Sequence, residues 1–497
     1  MSRTLLRTRL TAAVLLASTT SACMVGPNYH KPAAATPPAF KEANGWAPAQ
    51  PSDAADKKDW WTVFGDPMLN ELEARVNVSN QTIAADEAAY RAAHAIVAED
   101  RAALFPTVAL SGSANRTFTG AGAAASKFTS ATGTSASGVG STKTVVATSG
   151  TTSVLYEPTL GATWAPDLWG SVRRTIQNAK DTAQSDAALL ANARLSMQTE
   201  LASDYVMLRQ LDEENRLYDS EVTAYTHSLQ VTKNQYSAGN VPYSDVLTAQ
   251  TLLQSTEATY QDLARQRALM EHAIAVLVGV PPASLTIAPG AWTLKLPQIP
   301  TVLPSTLLQR RSDVASAERN AAAANELIGV QIAAYYPTLS LTPEVGLESN
   351  AISNLFNLSN IFWSVGGNAT ETVFDAGLRG AKVRQFRAQY DEAVATYRGT
   401  VLSAFQNVED NLAAQRIYIG ELTLLTSAAQ SAVQNQTLTL NEYNAGTVDF
   451  TTVATAQVAA LQAQVAQLQV EASQLETAVT LIEALGGGWT TTDLPKS

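Results

Sequence analysis

"YSAGNVPYSDVLTAQ" (Tyr236–Gln250) and "YNAGTVDFTTVATAQ" (Tyr443–Gln457) are two versions of one stretch, set a constant 207 residues apart. Tyr, Ala, Gly, Val and the closing Ala-Gln coincide. Upstream of the first copy there is no Pro or Gly between Ser171 and Gly239, which permits a helix roughly 100 Å long at about 1.5 Å per residue. Downstream, Val246, Ala249, Leu253, Thr256, Tyr260, Leu263, Met270, Ile274 and Leu277 recur at spacings of three and four, with Arg267 interrupting. Val458, Leu461, Val465, Leu468, Ala472, Leu475, Val479 and Ile482 repeat the pattern after the second copy. These are narrow heptad seams, suited to helices packed side by side. Each Tyr-x-Ala-Gly stretch is therefore the turn of a long antiparallel helical hairpin, with Gly239 and Gly446 as the left-handed caps.

The duplication extends outward from the turns. "LFPTVALSGS" from Leu104 matches "YYPTLSLTPE" from Tyr335, and "PDLWGSVRR" near Asp167 loosely matches "FDAGLRGAK" near Asp375. Each half runs helix, Pro-started strand, loop, strand, long helix, turn, second helix. A two-fold repeat of this length is a duplicated half-structure rather than a solenoid. The strands alternate: Leu339, Leu341, Val345 and Leu347 share one parity, Thr338, Ser340, Thr342 and Glu344 the other. Val154, Tyr156, Leu160, Ala162 and Trp164 oppose Ser153, Glu157, Thr159 and Thr163, and Ile361, Trp363, Val365 and Ala369 repeat the apolar parity. Strands of about ten residues with one apolar and one polar face suit an outer-membrane barrel. Four strands cannot close one, and open edges are not tolerated in lipid. The strand count thus demands oligomerisation, with eight strands from two copies or twelve from three.

Composition removes several function classes. The net charge of −11 opposes nucleic-acid binding. No run approaches the roughly 20 apolar residues of a membrane-spanning helix. Arg3, Arg7 and Arg9, then "LTAAVLLAS" and "TSAC", form a secretory signal ending at Cys23, the only cysteine. The loop "TGAGAAASKFTSATGTSASGVGSTKTVVATSGTTS" spaces Gly133 and Gly138 like a phosphate loop, but Val139 stands where its Lys must be. His30, His94, His227 and His272 lack metal-ligand spacing. "LDEEN" at Leu211 reads as a solvated helix face, and Gly486–Gly488 as a helix end. No cofactor, metal or catalytic constellation is expected.

The sequence resembles the outer-membrane efflux family of TolC-like channels, in its NodT-type lipoprotein branch. The residues that carry the resemblance are "CMVGPNYHKP" after the signal, "WWTVFGDPMLNEL" from Trp60, "FPTVALS", "YPTLSL", "RRSDVASAE" from Arg310, both turns, and "LGGGW" ending at Trp489. Thr20 replaces the usual Leu of the lipobox, and Ser312 the usual Pro. The resemblance implies an α+β membrane protein, a homotrimer. Its twelve-stranded outer-membrane β-barrel takes four strands per subunit and continues into a long periplasmic helical barrel with a mixed equatorial domain. It divides the chain into a signal peptide (1–22), a lipid-anchored segment (23–59), a first repeat (60–283), an equatorial linker (284–303), a second repeat (304–485) and a tail (486–497). Cys23 would carry acyl chains such as palmitate. Outer-membrane lipid, a periplasmic adaptor and an inner-membrane RND-type transporter are the implied partners, with no nucleic acid.

By the same resemblance the two turns sit at the periplasmic entrance, where Ser244, Asp245, Tyr443, Asp449, Thr452 and Thr455 are the expected gate residues. Asp245 falls on a carboxylate that bonds the tyrosine of the other turn, here Tyr443. Thr455 stands where many relatives carry an aspartate ring, and Asp449 is the only carboxylate between the second turn's Gly446 and Thr455. The leading function is a passive, non-enzymatic exit duct for small molecules such as drugs. A duct for secreted polypeptides and a lipid-anchored periplasmic coiled-coil scaffold without a pore are the alternatives at this point.

Overall fold

The 207-residue offset of the turns governs whole elements. The computed structural model describes residues 24–42, 59–120, 151–297 and 304–495. The signal peptide, Cys23, and the glycine pair and Val139 of the rejected phosphate loop lie outside the described residues. In chain order the elements are α1 (Pro67–Ser79), α2 (Gln81–Ala102), β1 (Thr107–Thr119), β2 (Thr151–Thr163), α3 (Ser171–Ser237), α4 (Tyr243–Leu277), α5 (Pro304–Arg310), α6 (Ser312–Ala333), β3 (Thr338–Leu347), β4 (Ile361–Thr370), α7 (Leu378–Asn444) and α8 (Phe450–Ala484). Both bounds of α3 and α4 recur 207 residues later in α7 and α8, and the end of β2 recurs in β4. The bounds of α2 and the start of β1 recur 231 residues later in α6 and β3. The difference of 24 residues falls between the paired strands, where the first repeat has longer strands and a longer loop.

Two compact units emerge, and neither is one repeat: each draws on both. The first (Met1–Asn28, Val97–Gln177, Asn325–Arg387) holds the sheet, of order β1-β2-β3-β4 with antiparallel pairing throughout. The pairing places Val108, Leu160, Val345 and Trp363 on one face, and Ser111, Thr159, Thr342 and Ser364 on the other. Polar pairs meet on the second face, where the Ser111 and Thr159 hydroxyls lie 2.7 Å apart. The apolar face is uncovered, with Leu110 80%, Trp363 75% and Val365 70% exposed, so this sheet does not cover its own apolar side. Where strands give way to helices, Asp167 accepts from the Val172 and Arg173 backbone amides at the start of α3, and Asp375 accepts from Gly377 and Arg379 at the start of α7. Trp169 stacks on Tyr336 at 4.8 Å. Residues Met24–Asn28 are bound beside this junction. The Val25 amide donates to the Trp169 carbonyl, and buried Arg174 donates to the Val25 and Gly26 carbonyls while pairing with Glu326 at 2.6 Å.

The second unit (Tyr29–Ile96, Asn178–Ala324, Ala388–Ser497) holds most of the apolar core. Trp60, Trp61, Phe64, Leu69, Leu72 and Val76 pack on Leu201, Tyr205 and Leu208 of α3, Ile274 of α4, and Leu475 and Val479 of α8. A buried polar chain ties these elements to the linker. Asp66 caps α1, accepting from the Met68 and Leu69 amides, and receives the Tyr205 hydroxyl at 2.8 Å. Arg209 donates to that hydroxyl and to Asp212, and Arg267 joins Asp212, Glu271 and the Ile287 carbonyl. Arg267 breaks the heptad seam because it is needed here. This corrects the reading of "LDEEN" as a solvated face, since Asp212 and Glu214 are buried. The Asp212 carboxylate faces two guanidiniums and the Gly290 amide together, so its burial is compensated.

Candidate functional site

Both turns close in the same way. Gly239 and Gly446 adopt φ of 78° and 77°, the left-handed region, as their sequence positions predict. The Asn240 amide donates to the Gln235 carbonyl and the Gly239 amide to Tyr236; Thr447 and Gly446 repeat these bonds onto Glu442 and Tyr443. These paired hydrogen bonds satisfy carbonyls orphaned by the helix end. An aromatic pair then locks each hairpin. Tyr236 meets Tyr243 at 5.3 Å and Tyr443 meets Phe450 at 5.6 Å between ring centres.

The two turns meet through the second pair. Tyr443, Phe450, Val453 and Ala454 pack with Tyr225, Leu229, Val246, Ala249 and Leu253 of the first hairpin in one apolar cluster. At its edge the buried Tyr443 hydroxyl donates to Gln235 Oε1 at 2.5 Å and lies 3.4 Å from Thr232 Oγ1. The expected acceptor was Asp245. The structure corrects this: among the described residues Asp245 forms no hydrogen bond with Tyr443, and its carboxylate sits 3.4 Å from the neighbouring Ser244 hydroxyl. Burial foremost, and then the Asp245 charge, raise the Tyr443 hydroxyl above the ordinary tyrosine range, so it stays a protonated donor.

The remaining expected tip residues are exposed. Asp449 is the N-cap of α8, accepting from the Thr452 amide at 2.9 Å and hydroxyl at 2.7 Å, which holds its carboxyl below the usual range. Thr455 donates to the Thr451 carbonyl one turn back. Gln235 and Thr232 were missed by sequence reasoning. The signal was available: they and Ser228, Tyr225 and Glu221 occupy alternate spacings of three and four on α3, a polar seam within the helical pattern. Beside the tip, α4 and α8 border a groove of about 700 Å³ lined by Leu247, Thr251, Ser255, Thr451, Thr455 and Val458. The described helices include none long and apolar enough to cross a membrane.

A four-stranded sheet with an uncovered apolar face, joined in one chain to two capped helical hairpins, is the subunit plan of an outer-membrane channel. Residues 74–280 and 303–487 match the outer membrane efflux protein family, and the chain belongs to it. It is 30% identical to the toluene efflux pump outer membrane protein TtgC of Pseudomonas putida over 98% of this chain and 96% of that one. It is 27% identical to the pyoverdine export outer membrane protein OpmQ of Pseudomonas aeruginosa, over 88% and 89%. Among solved structures, the outer-membrane channel OprN superposes with a TM-score of 0.82 at 27% identity, covering 94% of this chain and all of that one. The chain is an α+β outer-membrane channel subunit of an efflux pump, and such relatives are transport channels rather than enzymes.

Proposed function

We propose that three copies form one passive duct for small molecules, each supplying four strands to a twelve-stranded barrel and two hairpins to a periplasmic cylinder. The observation that carries this reading is the sheet itself. It has one apolar face, one polar face, and two edges, β1 and β4, that pair with no further strand among the described residues. In lipid such edges must be paired, and a copy related by rotation supplies the pairing strand. The named cargoes of relatives, toluene and pyoverdine, are small molecules, which favours these over polypeptides. The duct performs no chemistry on them. In this reading a periplasmic adaptor links it to an inner-membrane RND-type transporter.

Cys23 is acylated in this reading. Its neighbour Met24 rests against Gly170, where an added Cβ would lie 2.8 Å from the Met24 side chain, beside the strand–helix junction. The entrance is the pair of turns, closed at rest by the Tyr443–Gln235 bond and the cluster beneath it, with Asp245 and Ser244 beside it and Asp449, Thr452 and Thr455 lining its rim. Light scattering of the detergent-purified protein, followed by planar-bilayer recording, tests the assembly. A trimer that conducts is expected; a stable monomer with no channel activity contradicts it.

A further inference from the structure

The turn between β3 and β4 is a folded cap with apolar side chains on its outside. Two short 3-10 turns, Ile352–Asn354 and Leu358–Asn360, flank the buried Leu355 but leave Ile352, Phe356 and Leu358 67%, 82% and 84% exposed. A loose chain is not the cause. The Glu348 amide donates to the Asn360 carbonyl, the Asn360 side chain to the Asn354 carbonyl at 2.6 Å, and the Ser349 hydroxyl to the Ala351 carbonyl. Tyr156 of β2 and Ser349 exchange both backbone bonds, which ties the cap to the sheet. From Ser349 to Thr370 the sequence has no charged residue, although water-facing surfaces are rich in charge.

The register sets the height of this cap. It lies at the end of the sheet away from α6 and α7, which precede β3 and follow β4. Each of these strands has ten residues, about 33 Å at the usual rise and about 25 Å when tilted as barrel strands are, the height of a lipid-facing band. The cap therefore begins where hydrocarbon ends. β2 continues past it, since Tyr156 bridges Ser349 while the strand starts at Thr151. Just there stands Arg116, the only basic residue in the four strands. It pairs with Val154, two residues beyond Tyr156, on the apolar face, where it is exposed and joins no ion pair among the described residues. A guanidinium on the lipid side at that height finds its counter-ion in lipid phosphate.

We propose that the β3–β4 turn is a membrane foot, with Ile352, Phe356 and Leu358 sunk into the headgroup–acyl boundary of the leaflet farther from the helices. The inference rests on the reading of the sheet's apolar face as lipid-facing. Lipid is the occupant because the cap runs without a break into that face: exposed Ile361 follows the second 3-10 turn directly and shares its parity with Trp363 and Val365. Apolar side chains at the boundary, with basic groups at headgroup level, are how surface-bound segments hold to a bilayer.

Nitroxide labels on full-length trimers, in vesicles of phosphatidylethanolamine and phosphatidylglycerol, test this. Single cysteines are placed in a Cys23→Ser background, which removes the only native thiol. Phe356→Cys and Leu358→Cys probe the cap, Val365→Cys the middle of the apolar face and Asn441→Cys the exposed tip. Oxygen partitions into lipid and a nickel chelate into water, so the ratio of their collision rates reads depth. Both cap positions should give a ratio about threefold or more above that of Asn441→Cys, and below that of Val365→Cys. An aqueous ratio at both cap positions, with a lipid ratio at Val365→Cys, overturns the inference while leaving the barrel intact. Low collision rates with both reagents at the cap also overturn it, since protein rather than lipid then covers the turn. An aqueous ratio at Val365→Cys overturns the barrel reading, and the inference with it.

Discussion

Tyr236 and Tyr243 in the first turn, and Tyr443 and Phe450 in the second, are equivalent pairs in equivalent hairpins, yet their surroundings are opposite. The first pair is 46% and 53% exposed, the second 4% and 1%. The hairpin lock is local and is written twice, whereas the burial is tertiary and happens once, where the second turn docks on the first hairpin. The caps differ as well. Helix α8 begins on the Asp449 side chain, but α4 begins after Pro242 with no side-chain cap. One turn is thus held by its partner within the subunit, and the other presents an uncovered aromatic pair.

The largest test of this asymmetry is truncation of the matched rings. Phe450→Ala should destabilise the folded subunit by about 3–5 kcal/mol, and Tyr243→Ala by less than about 1 kcal/mol when the subunit is isolated. Urea unfolding followed by circular dichroism reads both. Equal losses would show that the turns are not docked as described. A reference outside both turns is Glu73 on α1, fully buried in the core with neither carboxyl oxygen hydrogen-bonded among the described residues. Burial pushes it up to about 9. Its folded value exceeds its unfolded one, so its contribution is complete below the ordinary glutamate range and is lost as pH rises toward 9. Stability should fall across that window by up to about 1 kcal/mol per pH unit, and Glu73→Gln should flatten the profile.

Smaller effects sharpen the comparison at the tip. Tyr443→Phe should cost about 1 kcal/mol, one neutral hydrogen bond, while Tyr236→Phe should cost nothing measurable. Asp449→Asn should lower the melting temperature slightly at neutral pH. The carboxyl of Asp449 is held below its ordinary value, so that difference should vanish as pH falls through the carboxylate range.

The architecture was legible because its signals are periodic. The 207-residue offset, the heptads and the two-residue alternation each follow from one element's geometry. Asp212 and Glu73 were not legible as core groups, since a polar residue on a helix reads as surface until its surroundings are known. Asp212 depends on Arg267 and Gly290, both more than fifty residues away. The acceptor for Tyr443 could not be told from spacing either: Gln235 and Asp245 flank the same turn, and only packing decides which one the hydroxyl reaches. Asp449, expected at the gate, sits at the start of a helix, where an aspartate side chain commonly caps.

That choice of acceptor gives the most direct test of the central claim, that the second turn closes the entrance by docking on the first hairpin of its own subunit. Single-channel conductance should be recorded for trimers of wild type, Tyr443→Phe, Gln235→Leu, the double variant and Asp245→Ala. The account predicts that Tyr443→Phe and Gln235→Leu each raise conductance, that the double variant adds little beyond either single because the two groups share one bond, and that Asp245→Ala stays close to wild type. Wild-type conductance in correctly assembled Tyr443→Phe and Gln235→Leu trimers would contradict it, leaving the repeated turn as a hairpin cap and nothing more.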